Sequence, residues 1–279
     1  MSLTPEQVKG RIKNIAKQKN ADARVLIRIY MMERFLERVE KSDYRDNFII
    51  KGGILVTAMI GVSLRSTMDI DTTIKNQNLS IEDAQEIIEK IISVDLDDGV
   101  AFEINEVSDI MDEMEYPGVR FSMNAVMGKL ITPIKIDIST GDVITPHAIK
   151  FEYRLMLEER SIFLWSYNLE TILAEKLQTI LSRGILNTRM RDYYDISMLL
   201  SLYKDEIDAN VLKQAFKATC KKRDTLNLKE NADAIIEAIS GDEQLRRLWT
   251  NYQRKYTYAA EIHYEDVMKS IDQLIQIIE

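Results

Sequence analysis

The sequence predicts an α+β fold, with a mixed sheet and its helices in the first half and a helical C-terminal lobe in the second. Two observations carry this reading. Short alternating or uniformly apolar runs cluster before about residue 140, and from Asn168 almost to the end the apolar residues recur at helical spacing. At 279 residues the chain suits two lobes, residues 1–150 for the sheet with its N-terminal helices and residues 151–279 for the mainly helical lobe.

The elements follow in order. Thr4 precedes a charged helical stretch, and Ala21 to Glu40 carries Val25, Leu26, Ile29, Met32, Phe35 and Leu36 on one face. Phe48-Ile49-Ile50 is a short strand ending at Lys51-Gly52-Gly53, where a buried apolar helix opens on the glycines. Met68 to Ile74 alternates as a strand, and Ser80 caps a helix running to about Ser93. Val100–Val107, Val119–Met127 and Ile131–Ile138 are further strands. Gly184 and Gly241 punctuate the helical half.

Composition excludes several function classes. With 46% hydrophobic and 29% charged residues the chain can bury a core, so it is not a disordered segment. No run approaches the roughly 20 apolar residues of a membrane helix, and the N-terminus lacks the order of a secretory signal, so a cytoplasmic protein without membrane contact is expected. One cysteine, Cys220, and two histidines, His147 and His263, exclude an internal disulfide and a Cys/His zinc cluster. A net charge of −8 argues against a broad nucleic-acid-coating surface but leaves room for a local basic patch.

Chemistry concentrates in the acids. Strand alternation in Met68-Asp69-Ile70-Asp71 sends the apolar pair to one face and places Asp69 and Asp71 on the other, about 7 Å apart. In Ile134-Lys135-Ile136-Asp137-Ile138 the same alternation leaves Asp137 opposite the isoleucines, so a second strand can present a third carboxylate. Three such acids suit Mg²⁺ or Mn²⁺ bridging nucleotide phosphates; the plainer reading is a solvated strand face. Gly52-Gly53, at a strand-to-helix turn, can hold a phosphate on backbone N–H groups or can be only a turn. Arg65-Ser66-Thr67 adds a cation and two hydroxyls that either touch a triphosphate or cap the strand.

In the helical half, Lys176 falls in the middle of the apolar stripe of Ile172, Leu173, Leu177 and Ile180. An inward lysine must meet an anion or snorkel to water, and either a triphosphate or a neighbouring carboxylate would serve. Asp192 and Asp195, three apart on the next helix, can hold Lys176 or an arginine, assist an incoming hydroxyl, or merely complement the helix dipole. Lys213, Lys217 and Lys221 recur every fourth residue, followed by Lys222 and Arg223, as a solvated face or a track for RNA phosphates. Trp249, Tyr252 and Tyr256 lie among Arg246, Arg247, Arg254 and Lys255 and suit base stacking or core packing equally.

Taken together, Tyr30-x-x-Glu33-Arg34-Phe35-Leu36, Lys51-Gly52-Gly53-x-Leu55, Arg65-x-Thr67-x-Asp69-Ile70-Asp71, Ile136-Asp137-Ile138, Leu173-Ala174-Glu175-Lys176-Leu177 and Arg191-Asp192-x-Tyr194-Asp195 resemble the AbiEii toxin family. The resemblance runs from about residue 20 to 200. It implies a DNA polymerase beta-like nucleotidyltransferase lobe joined to a helical lobe that completes the active site. Asp69, Asp71 and Asp137 would be metal ligands, Lys176 would contact nucleotide phosphates, and Asp192 or Asp195 would complete the site.

It further implies a toxin of a toxin–antitoxin or phage abortive-infection system. Such a toxin transfers a nucleoside monophosphate from an NTP to an acceptor hydroxyl, as on the acceptor end of tRNA, and releases pyrophosphate. Its cognate antitoxin would carry a winged-helix DNA-binding domain. One departure stands out: many superfamily members carry Gly-Ser where this chain has Gly52-Gly53, so a serine hydroxyl contact to phosphate is missing while backbone contacts remain. Two competing readings keep the same residues, a metal-dependent phosphodiesterase or nuclease using water, and a noncatalytic module whose acidic face binds a basic partner.

Overall fold

The computed structural model describes residues 3–65, 67–75, 80–110 and 118–279. It divides into two compact units, residues 1–142 with 148–166, and residues 143–147 with 167–279. The first holds a mixed seven-stranded sheet with helices, and the second is helical, which is the expected α+β arrangement.

The sheet unit begins with α1 (Pro5–Lys19), closed by a capping box between Thr4 and Gln7, and α2 (Ala23–Lys41). Then come β1 (Phe48–Lys51), α3 (Gly52–Ile60), β2 (Asp69–Ile74), α4 (Ile81–Ile92), β3 (Ala101–Asp109), β4 (Gly118–Met127) and β5 (Leu130–Thr140). β6 (Ile149–Arg154) and β7 (Ser161–Ser166) complete the sheet, whose order is β3-β4-β5-β2-β1-β7-β6. The β2/β5 and β1/β7 pairs are parallel and the others antiparallel.

The sheet thus continues past the division expected at residue 150. Its last strand, Ser161–Ser166, alternates weakly because Phe163 lies 45% exposed on the outer face, and it pairs with β1, more than 100 residues earlier. Neither the weak alternation nor that distant partner is a local signal.

One sheet face is apolar. Ile70, Phe121, Met123, Ile134, Ile136 and Ile138 are buried, and α2 packs on β5 and β7. α2 is unusual in burying charge as well. Arg38 reaches both oxygens of Asp98 at 2.8 and 2.9 Å and the Val100 carbonyl at 2.6 Å. Arg34 lies 3.0 Å from both Glu37 and Glu158, and Arg160 grips Glu37 at 2.6 and 3.0 Å. The backbone N–H of Met156 donates to both oxygens of Glu33. These bonds fasten the β6–β7 hairpin to the helix that the core sits on.

The helical unit comprises α5 (Leu169–Arg183), α6 (Met190–Tyr203), α7 (Ala209–Lys222), α8 (Ala232–Gly241), α9 (Glu243–Lys255) and α10 (Tyr264–Ile278). Side-chain caps open α5 at Asn168, α7 at Asp208 and α9 at Asp242. No described helix is long and apolar enough to cross a membrane.

Burial pushes the Glu33 carboxyl up to about 8, with the Met156 N–H and Arg34 opposing the shift. Between the ordinary carboxylate range and about 8 the folded protein therefore holds a proton that the unfolded chain releases, and stability falls as pH rises through that window. Denaturant unfolding from pH 5 to 9 should show this decline. Glu33→Gln, which keeps a carbonyl acceptor for Met156, should flatten it and match or exceed the parent above pH 8. A decline of the same steepness in the variant would assign the titrating proton to another group.

Candidate functional site

The polar face of the sheet is set by register. β2 lies between β1 and β5, with Asp71 opposite Lys51 on one side and Asp137 on the other, and Asp69 opposite Lys135. Neighbouring strands lie about 4.8 Å apart, so Asp71 and Asp137 are immediate lateral neighbours. Ile70 and Ile136 anchor the same strands from the apolar face and are fully buried. The two-residue period therefore brings Asp69, Asp71 and Asp137 to one face.

Charge crowding is visible at Asp69. Burial, then the negative charges of Asp71 and Asp137, raise its carboxyl above the usual range, and Lys135 and Arg120 offset this in part. Asp137 is held differently, because the Arg120 guanidinium donates to both its oxygens at 2.8 Å. Arg120 lies directly opposite Asp137 on β4. It carries no local sequence signal, since only the strand register distinguishes it from any other half-exposed arginine.

At the start of α3 the Gly53 N–H donates to Asp71 Oδ2 at 2.9 Å, so the acid caps the helix. That amide, expected to be available to a phosphate, is already engaged. Gly52 adopts φ +56°, and a Cβ there would lie 2.2 Å from Asp71 Oδ2. A Cβ on Gly53 would lie 2.5 Å from Thr67 Oγ1 and 2.9 Å from Arg65 Nη1. Both positions require glycine as the chain is packed. The absence of serine at position 53 has the same cause, because Thr67 and Arg65 fill the space that its side chain would need.

Arg65 is only 1% exposed, and its Nη1 donates to the Gly53 carbonyl at 2.7 Å and Thr57 Oγ1 at 3.1 Å. It braces the glycine turn from inside. Thr67, also buried, donates to the Asp69 carbonyl at 3.2 Å. Ser66 lies outside the described residues. Lys51, the last residue of β1, is buried and donates to Ser139 Oγ at 2.7 Å and to Asp142.

In the helical unit the Lys176 ammonium sits 2.8 Å from both Asp192 Oδ1 and Asp195 Oδ2. The inward lysine of the apolar stripe thus meets two carboxylates of α6, which themselves are 5% and 0% exposed. Arg189 lies 3.1 Å from the second oxygen of Asp192. Glu175, on the other side of α5, pairs with Arg223 at 3.2 Å. The aromatic run of α9 serves packing: Trp249 and Tyr252 are buried, and Tyr252 joins Tyr194, Tyr256 and Tyr258 in one ring cluster.

A family model, described as nucleotidyl transferase AbiEii toxin of type IV toxin–antitoxin systems, matches residues 34–276. The chain belongs to the AbiEii nucleotidyltransferase toxin family. As such it is a nucleotidyltransferase, and its family description implies an NTP substrate and an antitoxin partner. No curated protein matches it. Among solved structures it is similar to JHP933 from Helicobacter pylori, with 15% identity, TM-score 0.49 and coverage of 92% of this chain and 94% of that one. An antigenic nucleotidyltransferase-like protein from Paracoccidioides brasiliensis shows 13% identity, TM-score 0.37 and coverage of 84% and 94%.

Nucleotidyltransferases generally use a divalent metal with their NTP. Among the described residues no three His, Cys, Asp or Glu side chains are placed to hold a metal ion together. The expected convergence of three carboxylates is altered because Arg120 occupies Asp137. Asp69 and Asp71 remain as hard oxygen donors on one face, and crowded negative charge at Asp69 is what a cation relieves. Magnesium commonly takes one or two carboxylates and completes its shell with water and substrate phosphates, so this pair fits it.

The glycine packing yields a direct test. Gly52→Ala should displace the Asp71 carboxylate, lowering nucleotidyl transfer at least tenfold and stability by about 1–3 kcal/mol. Gly53→Ser should destabilise similarly, and Thr67→Ala in the same chain should recover part of that loss. A double-mutant cycle on thermal stability reads the coupling; strictly additive effects would mean that Thr67 does not obstruct position 53.

Proposed function

We propose that this AbiEii-family chain transfers a nucleoside monophosphate from an NTP to a hydroxyl of an RNA acceptor, such as the acceptor end of tRNA, with release of pyrophosphate. The observation that carries the reading is the common face of Asp69, Asp71 and Asp137 on the adjacent strands β2 and β5, beside the glycine turn that opens α3. In the reaction the acceptor oxygen bonds to the α-phosphorus, the bond to the bridging oxygen breaks, and the electron pair leaves on pyrophosphate. The hydroxyl proton passes to a carboxylate of the cluster.

A bound magnesium or manganese ion would supply charge neutralisation at the phosphates and acidify the attacking hydroxyl. Asp69 and Asp71 would hold it, with Asp71 oriented by the Gly53 N–H. Asp137, clamped by Arg120, would complete the polar face, and Lys176 would bind the nucleotide phosphates. Most of the catalysis is positioning and electrostatics, so no covalent enzyme intermediate is needed. As a toxin it would be restrained by a cognate antitoxin, for which a winged-helix DNA-binding protein is the family expectation.

Purified protein is incubated with magnesium, each labelled NTP in turn and total cellular RNA. Label is expected in RNA with the parent chain. It should fall at least a hundredfold in Asp71→Asn and Asp69→Ala, both with thermal melting near the parent value, and several-fold or more in Lys176→Ala through weaker nucleotide binding. RNA that is shortened without NTP would instead identify a phosphodiesterase, and full activity of Asp69→Ala would remove the carboxylate site.

A further inference from the structure

We propose that the exposed lysine row of α7 is the docking rail for the phosphodiester backbone of the RNA acceptor; this rests on the reading that the acceptor is RNA. α7 carries Lys213, Lys217, Lys221 and Lys222 and contains no Asp or Glu, in a chain whose net charge is −8. Its buried side, Leu212, Ala215, Phe216, Thr219 and Cys220, packs on α5 and α10. At 100° per residue Lys213, Lys217 and Lys221 share the opposite side, all three are exposed, and none pairs with an acid among the described residues.

Successive lysines of the row advance about 6 Å along the helix axis, a step suited to successive phosphates of an extended strand. The direction of the row matters more than its charge. Just beyond its C-terminal end Arg223 turns back onto α5, pairing with Glu175 and donating to Gln178 and to Thr179 at 3.2 Å. Lys176, whose ammonium meets Asp192 and Asp195 of α6, follows Glu175 on α5, about 100° round the helix from it. A strand laid on Lys213 and led past Lys221 therefore reaches the level of α5 that carries Lys176, and would turn round that helix to meet it.

α1 bears Lys9, Lys13 and Lys17 at the same spacing, also exposed, but it packs on α2 in the sheet unit. Reversing either row changes the net charge equally. If the rail is specific, only the α7 row should matter; if RNA responds to overall charge, the two should behave alike.

The test measures binding of a fluorescent RNA hairpin with a single-stranded 3′ end to the full chain, at several salt concentrations and without NTP. It is paired with magnesium–NTP binding and RNA labelling. The Lys213→Glu/Lys217→Glu/Lys221→Glu chain should bind the RNA at least tenfold more weakly. The slope of log affinity against log salt should fall by about 2, three lost single-strand phosphate contacts at about 0.7 each. Labelling should fall in parallel, while NTP binding and the melting temperature stay near the parent values.

The triple Gln variant should lie between parent and reversal. The Lys9→Glu/Lys13→Glu/Lys17→Glu chain should bind RNA within about twofold of the parent. Unchanged RNA binding in the α7 variants, or equal losses from both rows, would overturn the rail. Loss of binding only to an acidic protein partner, with RNA binding intact, would assign the row to that partner and overturn it as well. Transfer of label to a non-RNA acceptor by the parent chain would defeat the RNA reading itself, and the rail with it.

Discussion

The contact between Asp71 and the Gly52-Gly53 turn ties the sheet to its chemistry. Asp71 lies on β2, and the amide it accepts from opens α3, so one carboxylate joins strand and helix at a distance that excludes a Cβ on Gly52, while Thr67 and Arg65 exclude one on Gly53. Arg65 supports the same turn from beneath through the Gly53 carbonyl and Thr57. The close approach fixes where the acid points, and the register of β2 against β5 then decides which acid is its neighbour. Orientation of a charged group is thus settled by backbone packing, which reorganises little during a reaction.

The buried charges of α2 answer a different need. A helix that carries Glu33, Arg34, Glu37 and Arg38 at buried positions pays a desolvation cost that apolar residues would avoid. The partners of these residues lie far off in sequence: Asp98 before β3, Met156 and Glu158 in the β6–β7 hairpin, and Arg160 beside them. Generic apolar packing can slip along a helix, whereas a bidentate ion pair accepts one register. The hairpin sits next to β1, so its register bears on the strand from which the glycine turn begins.

Much of this was legible in the sequence because the signals were local. A two-residue period exposed Asp69, Asp71 and Asp137, caps marked Thr4 and Ser80, and helical spacing showed Lys176 to be out of place on an apolar stripe. What escaped depended on partners distant in the chain. Arg120 gains its role only from lying opposite Asp137, and Glu33 only from the Met156 amide. β7 is invisible without β1, its parallel neighbour. In sequence the glycine pair looks like a place for phosphate, yet its nearest oxygen belongs to the protein, a fact that depends on three-dimensional proximity alone.

Lys176 shows how far a structural and a functional reading of one residue can coincide. Its ammonium is held between Asp192 and Asp195 at 2.8 Å from each, which satisfies the demand that a nearly buried lysine find anions. The same pairing removes rotamer freedom from a long side chain during folding, so a ligand that uses this ammonium need not order it. Each acid also lies near an arginine: Asp192 faces the half-exposed Arg189, and the charge of Asp195 is felt at the mostly buried Arg191. Held from both sides at the same distance, the lysine has one position that satisfies both acids.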